Sequence, residues 1–427
     1  MIEQAERFQP YLDELRALVE ADELDIAAVA PHLDGLAGLS WRRTVPRLVR
    51  REQSTFFTGS VLRYRLIAPH AHLLRAGTCA LDPSCGLGDL LLEAARHVPV
   101  ERVWEQVHGL DLLPPLVAAA RLRLRLQLRS AVGTCEAARR PGYDRAIRVG
   151  DALAEYAVDW ASYGLLLLNP PFATGMIPPD QRWGSGRTTQ AASFLLHCLR
   201  NARPGALLAA VLPDALRGGH RYRRWREEVG RLADVDSVES IGRFDPGTDV
   251  DVFIARMRVL GDVRDAAPAG HREGWGSSHV GPEPVMTVAD CWHVRVGAVV
   301  PHRHRPAGPS VPYLTGSALP IGEELPPPAT RIQHAGRTHQ PPFVVVQRTS
   351  SPSQRHRVRG AIVTGSAPVA VENHLLVFEP LRGDSIAGCR ELLAILHSPT
   401  TQEWIDQRSR CRHLPATLLR QLPLRPP

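Results

Sequence analysis

The segment that decides the fold is CALDPSCGLGDL, residues 79–90, in which a short apolar run leads through a turn into an amphipathic stretch. Gly86 and Gly88 allow the main chain of this turn to bend tightly and to approach a ligand closely. In open α/β sheets, ligands bind at the carboxyl ends of the strands, where such a turn lies. The segment therefore predicts a parallel α/β sheet with a ligand site at its glycine turn.

Short apolar runs continue to alternate with amphipathic stretches of helical length as far as residue 260. This alternation predicts an α/β domain with a mostly parallel sheet and helices on both faces. The predicted strands are Cys79–Leu81, Val107–Leu110, Ile147–Val149, Leu165–Leu168, Leu207–Val211 and Val252–Val259. The predicted helices are Leu90–Arg96, Pro115–Leu128, Ala191–Arg200 and Tyr222–Leu232.

The pattern differs on either side of this α/β domain, which we assign to residues 51–260. Residues 1–50 have apolar residues at helical spacing, which predicts an N-terminal helical segment. Residues 261–290 are rich in Gly, Pro, Ser and Asp, which is typical of a linker. Residues 291–427 predict a mixed α+β domain, with strands Arg295–Val300, Phe343–Gln347, Gly360–Thr364 and Leu375–Phe378 and helices at Arg390–Ser398 and around Leu418 and Leu419.

The composition narrows the class of protein. Hydrophobic residues make up 44% of the 427 residues and charged residues 22%, which is typical of a globular protein, and no apolar run is long enough to span a membrane. The N-terminus lacks the apolar core of a signal peptide, so we expect a cytoplasmic protein without a membrane partner. The seven cysteines are scattered and include no CxxC pair, which predicts neither a disulfide framework nor a structural zinc site.

The positive charge is concentrated in the last third of the chain. All 51 basic residues are arginine, and the net charge is +7. Residues 291–427 contain 16 arginines and 8 acidic residues, a net charge of +8, so that the preceding 290 residues carry −1. We expect a polyanion to bind to this region, for which the alternative explanation is a compositional drift toward arginine.

An aspartate follows each of the two strands that come after the glycine turn. Asp111 ends the predicted strand Val107–Leu110, where a carboxylate can accept hydrogen bonds from ribose hydroxyls. Asp151 follows Ile147–Val149, where it can accept a bond from an adenine amino group. The turn has Leu91 instead of the third glycine of a GxGxxG motif, and the chain has no lysine for a P-loop. These departures favour a nucleoside ligand without a pyrophosphate.

The apolar run Leu165–Leu168 ends in Asn169-Pro170-Pro171-Phe172, which resembles the motif N/D/S-P-P-Y/F/W of amino-methyltransferases. The lone pair of the N6 amino group of adenine is delocalised into the ring, so this nitrogen is a poor nucleophile. Two acceptors, the Asn169 side-chain oxygen and the Pro170 carbonyl, would hold both amino hydrogens and localise the lone pair. Proline stiffens the backbone that carries these acceptors, and Phe172 can stack on the base.

Taken in order, the motifs resemble the gamma class of adenine-N6 DNA methyltransferases of restriction-modification systems, over roughly residues 50–260. The resemblance implies a Rossmann-like class I methyltransferase domain that uses S-adenosyl-L-methionine and acts on double-stranded DNA. It also implies that the target adenine is flipped out of the helix and that a methyl group passes directly to its N6 atom. Protection against a restriction enzyme or defence against phage is the expected role, and association with the nucleoid is the expected location.

The resemblance also implies roles for single residues. Phe56-Phe57-Thr58-Gly59 is similar to the family's Y/F-T-P segment, whose Thr approaches the cofactor's carboxylate, although Gly59 replaces the usual Pro. Phe244, which precedes the last predicted strand, is similar to the aromatic residue that the family places against the opposite face of the flipped base. The implied cofactor-binding set is Thr58, Asp82, Pro83, Gly86, Gly88, Asp111, Asp151 and Asn169.

The C-terminal domain contains Val311-Pro312-Tyr313-Leu314, a strand around Val344–Arg348, Asn373 to Phe378, a helix near Leu392–His397 and a closing Leu414-Pro415 to Leu422-Pro423. In these segments it resembles, more distantly, the target-recognition domains of Type I specificity subunits and related single-chain methyltransferases. Such a domain would contact DNA phosphates with arginine and would distinguish base edges in the major groove. The histidines of this domain have no metal-ligand spacing, so we expect no metal. The candidate DNA-binding residues are Arg303, Arg305, Arg348, Arg355, Arg357 and Arg359.

Two alternatives stay open. The first is a methyltransferase for RNA or for a protein glutamine, because both classes use N-P-P-Y/F motifs. The second is a non-catalytic DNA-binding subunit of a defence complex, against which the intact Asn169–Phe172 motif argues. A nuclease domain with a P-D-x-n-D/E-x-K motif is excluded by the absence of lysine, whereas a restriction endonuclease or defence-complex subunit in a separate chain remains open as a partner.

Overall fold

The computed structural model describes residues 2–34, 58–132, 143–177, 183–218, 220–244, 250–261, 275, 286–350, 354, 356–383, 385–409 and 413–424. The chain forms two compact units. Unit 1 comprises Met1–Arg217 and Arg221–Trp275, and unit 2 comprises Gly218–His220 and Gly276–Pro427. The main boundary lies within the predicted linker, and the N-terminal helical segment belongs to unit 1 instead of standing apart from the α/β domain.

Unit 1 is an α/β structure. Its helices are α1 (Ile2–Glu20), α2 (Ile26–Leu33), α3 (Ser60–Ile67), α4 (Ala71–Arg75), α5 (Asp89–Ala95), α6 (Val103–Gln106), α7 (Pro114–Val132), α8 (Tyr143–Ala146), α9 (Gln190–Asn201), α10 (Asp214–Gly218) and α11 (Arg223–Leu232). Its strands are β1 (Ala80–Asp82), β2 (Val107–Asp111), β3 (Ile147–Val149), β4 (Leu165–Leu168), β5 (Thr174–Met176), β6 (Arg187–Thr189), β7 (Leu207–Pro213), β8 (Ala233–Arg243) and β9 (Asp251–Val259).

The central sheet has seven strands in the order β3-β2-β1-β4-β7-β9-β8. The five strands β3, β2, β1, β4 and β7 pair in parallel, and β9 is antiparallel to both β7 and β8. From β1 the chain adds strands in one direction as far as β3, and with β4 it starts in the other direction. Such a switch point opens a crevice at the carboxyl ends of the two central strands, which here are β1 and β4.

Two apolar cores confirm the expectation of helices on both faces of this sheet. Because side chains alternate along a strand, Leu165 and Leu167 of β4 enter one core, which includes residues of α1, α2, α5 and α7. Leu166 and Leu168 enter the other core, which includes residues of α9 and α11. All four leucines are fully buried, as a central parallel strand requires.

Three buried arginines join the N-terminal helices to the rest of unit 1. Arg129 Nη1 donates to the Val19 carbonyl at 2.8 Å, and Arg123 Nε donates to the His32 carbonyl at 2.8 Å. Arg63 Nη2 donates to the Leu33 carbonyl at 2.6 Å. The carbonyls of a last helical turn have no partner within their own helix, so these arginines satisfy groups at the ends of α1 and α2.

Unit 2 has the mixed α+β structure expected of it. Its strands are β10 (Trp292–Val296), β11 (Ser310–Leu314), β12 (Glu324–Leu325), β13 (Arg331–Gln333), β14 (Phe343–Gln347), β15 (Gly360–Val363), β16 (Ala370–Val371) and β17 (Leu375–Pro380). A five-stranded sheet has the order β10-β17-β14-β15-β12, and a three-stranded sheet has the order β13-β11-β16. The helices are α12 (Val288–Cys291), α13 (Ile386–His397), α14 (Pro399–Arg408) and α15 (Ala416–Arg420).

The predicted strand Arg295–Val300 is wrong at both ends, because β10 begins at Trp292 and ends at Val296. Gly297 ends the strand where it packs against the main chain of Glu372, and a Cβ atom at Gly297 would lie 2.0 Å from the Glu372 carbonyl oxygen. Among the residues that the structure describes, no helix is both long and apolar enough to cross a membrane.

Candidate active site

The glycine loop connects β1 to α5 at the switch point. Gly86 and Gly88 have φ angles of +51° and +81°, which lie in the left-handed region that favours glycine. A Cβ atom at Gly88 would lie 3.1 Å from the Cβ atom of Ala120 in α7, whereas one at Gly86 would meet no atom within 4 Å. Gly88 is therefore needed for packing, and Gly86 borders open space where a ligand can approach the main chain.

Asp111 lies at the end of β2 beside this loop. Its Oδ2 atom accepts a hydrogen bond from the Gly86 amide at 2.9 Å, and its Oδ1 atom accepts one from the Leu113 amide at 3.0 Å. Burial raises the pKa of the Asp111 carboxyl, and the backbone amides that donate to it lower the pKa in part. The structure thus brings this predicted ribose acid to the glycine loop and fixes its orientation.

The other two predicted aspartates differ in exposure. Asp82 is buried, and its Oδ1 atom accepts from the Ser84 amide at 3.1 Å, so its carboxylate closes the turn of the loop. Burial raises the pKa of Asp82 well above its usual range. Asp151 is exposed, and its carboxylate accepts from the Leu153 amide at 2.9 Å. The Gly150 amide donates to the Asp111 carbonyl at 2.9 Å, which joins the ends of β3 and β2.

Asn169 follows β4 at the same edge of the sheet. Its Nδ2 atom donates to the Thr58 hydroxyl at 2.9 Å, which joins two residues that are 111 positions apart in the sequence. Thr58 is buried, and its own amide donates to Asp89 Oδ2 at 3.0 Å. The structure therefore brings together two residues from separate predicted motifs. Phe56 and Phe57 lie outside the described residues.

The segment after Asn169 is anchored on its C-terminal side. Strands β5 and β6 form an antiparallel hairpin, and the Thr189 hydroxyl at its end donates to the Phe172 carbonyl at 3.3 Å. The Gln190 amide donates to the Ala173 carbonyl at 2.8 Å. Pro170 is buried and Pro171 is half-buried. The tetrapeptide is therefore fixed both at Asn169 and at Phe172.

Phe172 and Phe244 are in direct contact, but not as a pair of parallel walls. Their ring centroids are 5.6 Å apart and their planes make an angle of 80°, an edge-to-face arrangement. Phe244 is buried in the core that includes α5 and α7, and Phe172 is half-buried. Two rings in this edge-to-face contact leave no parallel slot for a base between them. Phe244 supports Phe172 from the core, and Phe172 remains the candidate for stacking on a base.

A buried charge cluster behind the glycine loop was missed by the sequence analysis. Arg123 Nη2 of α7 lies 2.9 Å from Asp89 Oδ1, and Arg63 Nε of α3 lies 3.5 Å from Glu93 Oε2. Both arginine side chains are fully buried. The helical spacing of Arg123 from the buried Leu116 and Ala120 does place it on the apolar face of α7, and that spacing is the signal that could have identified it.

The predicted DNA-binding arginines of unit 2 have unlike surroundings. Arg303 and Arg305 are exposed and line a cavity of about 320 Å³ together with His304 and His334. A second cavity of about 530 Å³, not predicted from the sequence, is lined by Trp292, Arg295, Arg337 and Arg420 among others. The remaining candidates are the half-buried Arg348 and Arg359, the buried Arg357, and Arg355, which lies outside the described residues.

Arg357 corrects one of these predictions. Its side chain is 1% exposed, and its Nη1 atom lies 2.7 Å from Asp406 Oδ1 and also donates to the Ser409 carbonyl. Since this guanidinium is enclosed within unit 2 and joins the segment before β15 to α14, it has no surface with which to contact DNA. We therefore do not retain Arg357 among the proposed DNA contacts.

The fold has counterparts among solved structures. MmeI, a type IIL restriction-modification enzyme whose structure was solved in complex with DNA, matches 90% of this chain over 70% of its own, with a TM-score of 0.51 and 12% identity. At this identity the likeness concerns the fold alone. Because the match leaves out only a tenth of the chain, it includes parts of both units.

Two shorter matches concern methyltransferases. A protein from Listeria monocytogenes assigned to the class I S-adenosylmethionine-dependent methyltransferases has a TM-score of 0.41 and 18% identity, over 59% of this chain and 72% of that one. The methyltransferase subunit of a type I restriction-modification system from Streptococcus thermophilus has a TM-score of 0.37 and 20% identity, over 54% of this chain and half of the subunit. No protein-family model matches the sequence, and no curated protein does. The chain thus has an α/β fold with a mostly parallel central sheet and a further C-terminal unit, a fold that it shares with a restriction-modification enzyme.

Proposed function

We propose that the protein is an S-adenosylmethionine-dependent DNA methyltransferase that methylates N6 of adenine at a specific sequence. The observation that carries this proposal is the position of Asn169-Pro170-Pro171-Phe172 at the carboxyl end of β4, with Asn169 fixed by Thr58. The neighbouring strand β1 leads into the glycine loop, so that a methyl donor at the loop and an amino group at Asn169 would share one crevice.

The glycine loop fits a nucleoside cofactor. The space in front of Gly86 is open, and Asp111 is held beside it by two amides with its remaining lone pairs able to accept ribose hydroxyls. Bound S-adenosylmethionine supplies a methyl group that its sulfonium already activates, so the protein has to position the reactants more than to provide a strong base. The residues proposed to hold the cofactor are Thr58, Asp82, Pro83, Gly86, Gly88, Asp111, Asp151 and Asn169.

The tetrapeptide would prepare the amino group for methylation. The Asn169 oxygen and the Pro170 carbonyl accept its two hydrogens, which draws the nitrogen toward tetrahedral geometry and localises its lone pair. The two prolines and the anchored ends of the segment keep these acceptors fixed, so little reorganisation accompanies the reaction. Phe172 would stack on the base. The nitrogen would form a bond to the methyl group as the sulfonium–methyl bond breaks, which leaves S-adenosylhomocysteine, and one amino proton would pass to solvent.

An adenine inside the double helix cannot reach this site, so the target must be flipped out of the stack. Unit 2 would hold the duplex, because nearly all the excess positive charge of the chain lies there. Arg303, Arg305, Arg348 and Arg359 are the proposed phosphate contacts among the described residues. A role in restriction-modification or phage defence, with the nuclease in a separate chain, completes the proposal.

The proposal is tested by the transfer of labelled methyl groups to unmethylated genomic DNA, followed by mass spectrometry of the nucleosides. We expect N6-methyladenine with the wild type and a loss of at least about 100-fold in Asn169→Ala, since one preorganised polar contact contributes about this much. Methylation of RNA or of protein glutamine instead of DNA would transfer the proposal to those substrates. Failure to bind the cofactor would contradict the enzyme function altogether.

A further inference from the structure

We infer that Asp89 and Thr58 form a positioning relay that holds the side-chain amide of Asn169 with its oxygen toward the substrate amino group. This inference rests on the proposed function, which gives Asn169 an acceptor role. It adds two residues that act through Asn169. Neither the glycine turn nor the tetrapeptide alone indicates the relay, because its contacts run through Thr58, which belongs to neither segment.

The two ends of the Asn169 side-chain amide differ in what they can bind. One end is a donor and the other an acceptor, and only the oxygen can hold a hydrogen of the substrate amino group. In the structure Nδ2 donates to the Thr58 hydroxyl at 2.9 Å, so Oδ1 lies on the opposite side of the amide. If the amide turned over, it would present its NH2 group to the amino group of the substrate, donor against donor.

Thr58 is itself held in place by burial and by Asp89. Its side chain is 2% exposed, and its backbone amide donates to Asp89 Oδ2 at 3.0 Å, a contact between residues 31 positions apart. Asp89 is the first residue of α5, where a carboxylate also interacts favourably with the helix dipole. The Asp89 carboxylate therefore holds the main chain from which the Thr58 hydroxyl extends.

Two buried arginines hold the Asp89 carboxylate. The Nη2 atom of Arg123 lies 2.9 Å from Asp89 Oδ1, and the Nη1 atom of Arg63 lies 4.0 Å from the same oxygen. Arg123 also donates to the Leu87 carbonyl in the glycine loop, at 2.6 Å. The relay thus ends on the fully buried side chains of Arg63 in α3 and Arg123 in α7, and on the glycine loop. Among the contacts of the described residues, Asp89 reaches Asn169 through Thr58, so it is a positioning residue.

Thr58 offers a matched pair of variants, because Thr58→Val keeps the shape and loses the hydroxyl, whereas Thr58→Ser keeps the hydroxyl. We expect the single-turnover methylation rate to fall about 10- to 100-fold in Thr58→Val, the scale of a misplaced reacting group, and to recover most of its value in Thr58→Ser. The rate is measured at saturating S-adenosylmethionine, because Thr58 is also proposed to hold the cofactor. A Thr58→Val protein with the wild-type rate at saturation would overturn the relay, as would equal losses in Thr58→Val and Thr58→Ser.

A change at Asn169 tests the orientation itself. In Asn169→Asp both ends of the side chain are acceptors, so a turned side chain still presents an oxygen. The loss caused by Thr58→Val should therefore be several-fold smaller in the Asn169→Asp background than with Asn169. An equal loss in both backgrounds would show that Thr58 acts on packing alone, and would contradict the relay.

A spectroscopic readout separates this inference from the proposed function. The side-chain amide signal of Asn169 in ¹⁵N-resolved NMR, identified by its loss in Asn169→Asp, should shift in Thr58→Val and in Asp89→Asn but not in Thr58→Ser. These shifts require no methylation, so they hold even if DNA is not the substrate. An unchanged Asn169 signal in Asp89→Asn, in a protein with wild-type circular dichroism, would overturn the part assigned to Asp89.

Discussion

At the scale of single residues, burial raises the pKa of two carboxyl groups at the glycine loop, those of Asp82 and Asp111. Asp111 lies outside the loop and accepts a hydrogen bond from its Gly86 amide. Burial raises its pKa, so it takes up a proton at a higher pH than an exposed aspartate would. A protonated Asp111 has lost acceptor capacity for ribose hydroxyls.

We therefore predict that affinity for S-adenosylmethionine falls as the pH is lowered through the raised pKa of Asp111. The fall should lie at a higher pH than the titration of an ordinary aspartate, whose pKa is about 3.9. Asp111→Asn should bind the cofactor more weakly at neutral pH and should lose this pH dependence. Calorimetric titrations at several pH values would check it, with Asp13→Asn, at an exposed position of α1, as the control. The same pH dependence in Asp111→Asn as in the wild type would contradict the assignment.

Residue-scale prediction from the sequence succeeded where position after a strand determines position in space. Asp111 and Asn169 each follow a parallel strand, and neighbouring parallel strands end at one edge of the sheet. Asp89 and Arg123 could not be identified this way, because their partners lie on other elements and pair only after packing. The family position gave Phe244 a base-stacking role, whereas the structure places it in the core and in contact with Phe172.

At the scale of elements, α1 and α2 belong to the α/β unit because buried arginines satisfy their terminal carbonyls. Arg129 of α7 is 3% exposed and donates to the carbonyls of Val19, at 2.8 Å, and Asp22, at 3.1 Å. Unpaired buried carbonyls are costly, so these bonds hold the end of α1 against α7. The N-terminal segment thereby supports the helix that carries Arg123.

We predict that Arg129→Met lowers the free energy of unfolding by about 1 to 3 kcal/mol, because it removes the donor to the buried Val19 carbonyl. Thermal unfolding followed by circular dichroism would show a lower Tm than in the wild type. Arg75→Met, at an exposed position of α4, is the matched control and should change the Tm little. Equal Tm values for the two variants would mean that Arg129 does not hold α1.

Elements with strong periodicity were predicted well, and amphipathic edge elements were not. The fully apolar β4 was confirmed with its predicted bounds. Strand β8, eleven residues long, escaped prediction because it lies at the edge of the sheet and carries polar residues such as Asp234, Asp236 and Glu239. Hairpin β5–β6 was also missed, since its two strands have only three residues each.

At the scale of the whole molecule, charge is divided unevenly along the chain. The last 137 residues carry +8 and the first 290 carry −1, which favours binding of a polyanion through unit 2. The sequence predicted this division, but not which arginines remain at the surface. Burial depends on tertiary packing, as Arg357 demonstrates by its pairing with Asp406.

We predict that the double variant Arg303→Ala/Arg305→Ala weakens DNA binding and lowers the slope of log K against log salt by about 2, roughly 1 for each lost phosphate contact. Fluorescence anisotropy with a labelled duplex at several salt concentrations would measure the slope. Arg223→Ala/Arg231→Ala, which removes two exposed arginines of unit 1, is the control and should leave it unchanged. An unchanged slope in the unit 2 variant would remove these two arginines from the DNA contacts.

In the proposed reaction, Asn169 holds the N6 amino group of the adenine that is methylated. This role is tested most directly by expressing the protein in a bacterial host that lacks adenine methylation and sequencing the host DNA with single-molecule detection of modified bases. We predict N6-methyladenine at one recurring sequence with the wild type and none with Asn169→Ala. Unmodified adenine in cells that contain the folded wild-type protein, or equal modification by the Asn169→Ala variant, would contradict it.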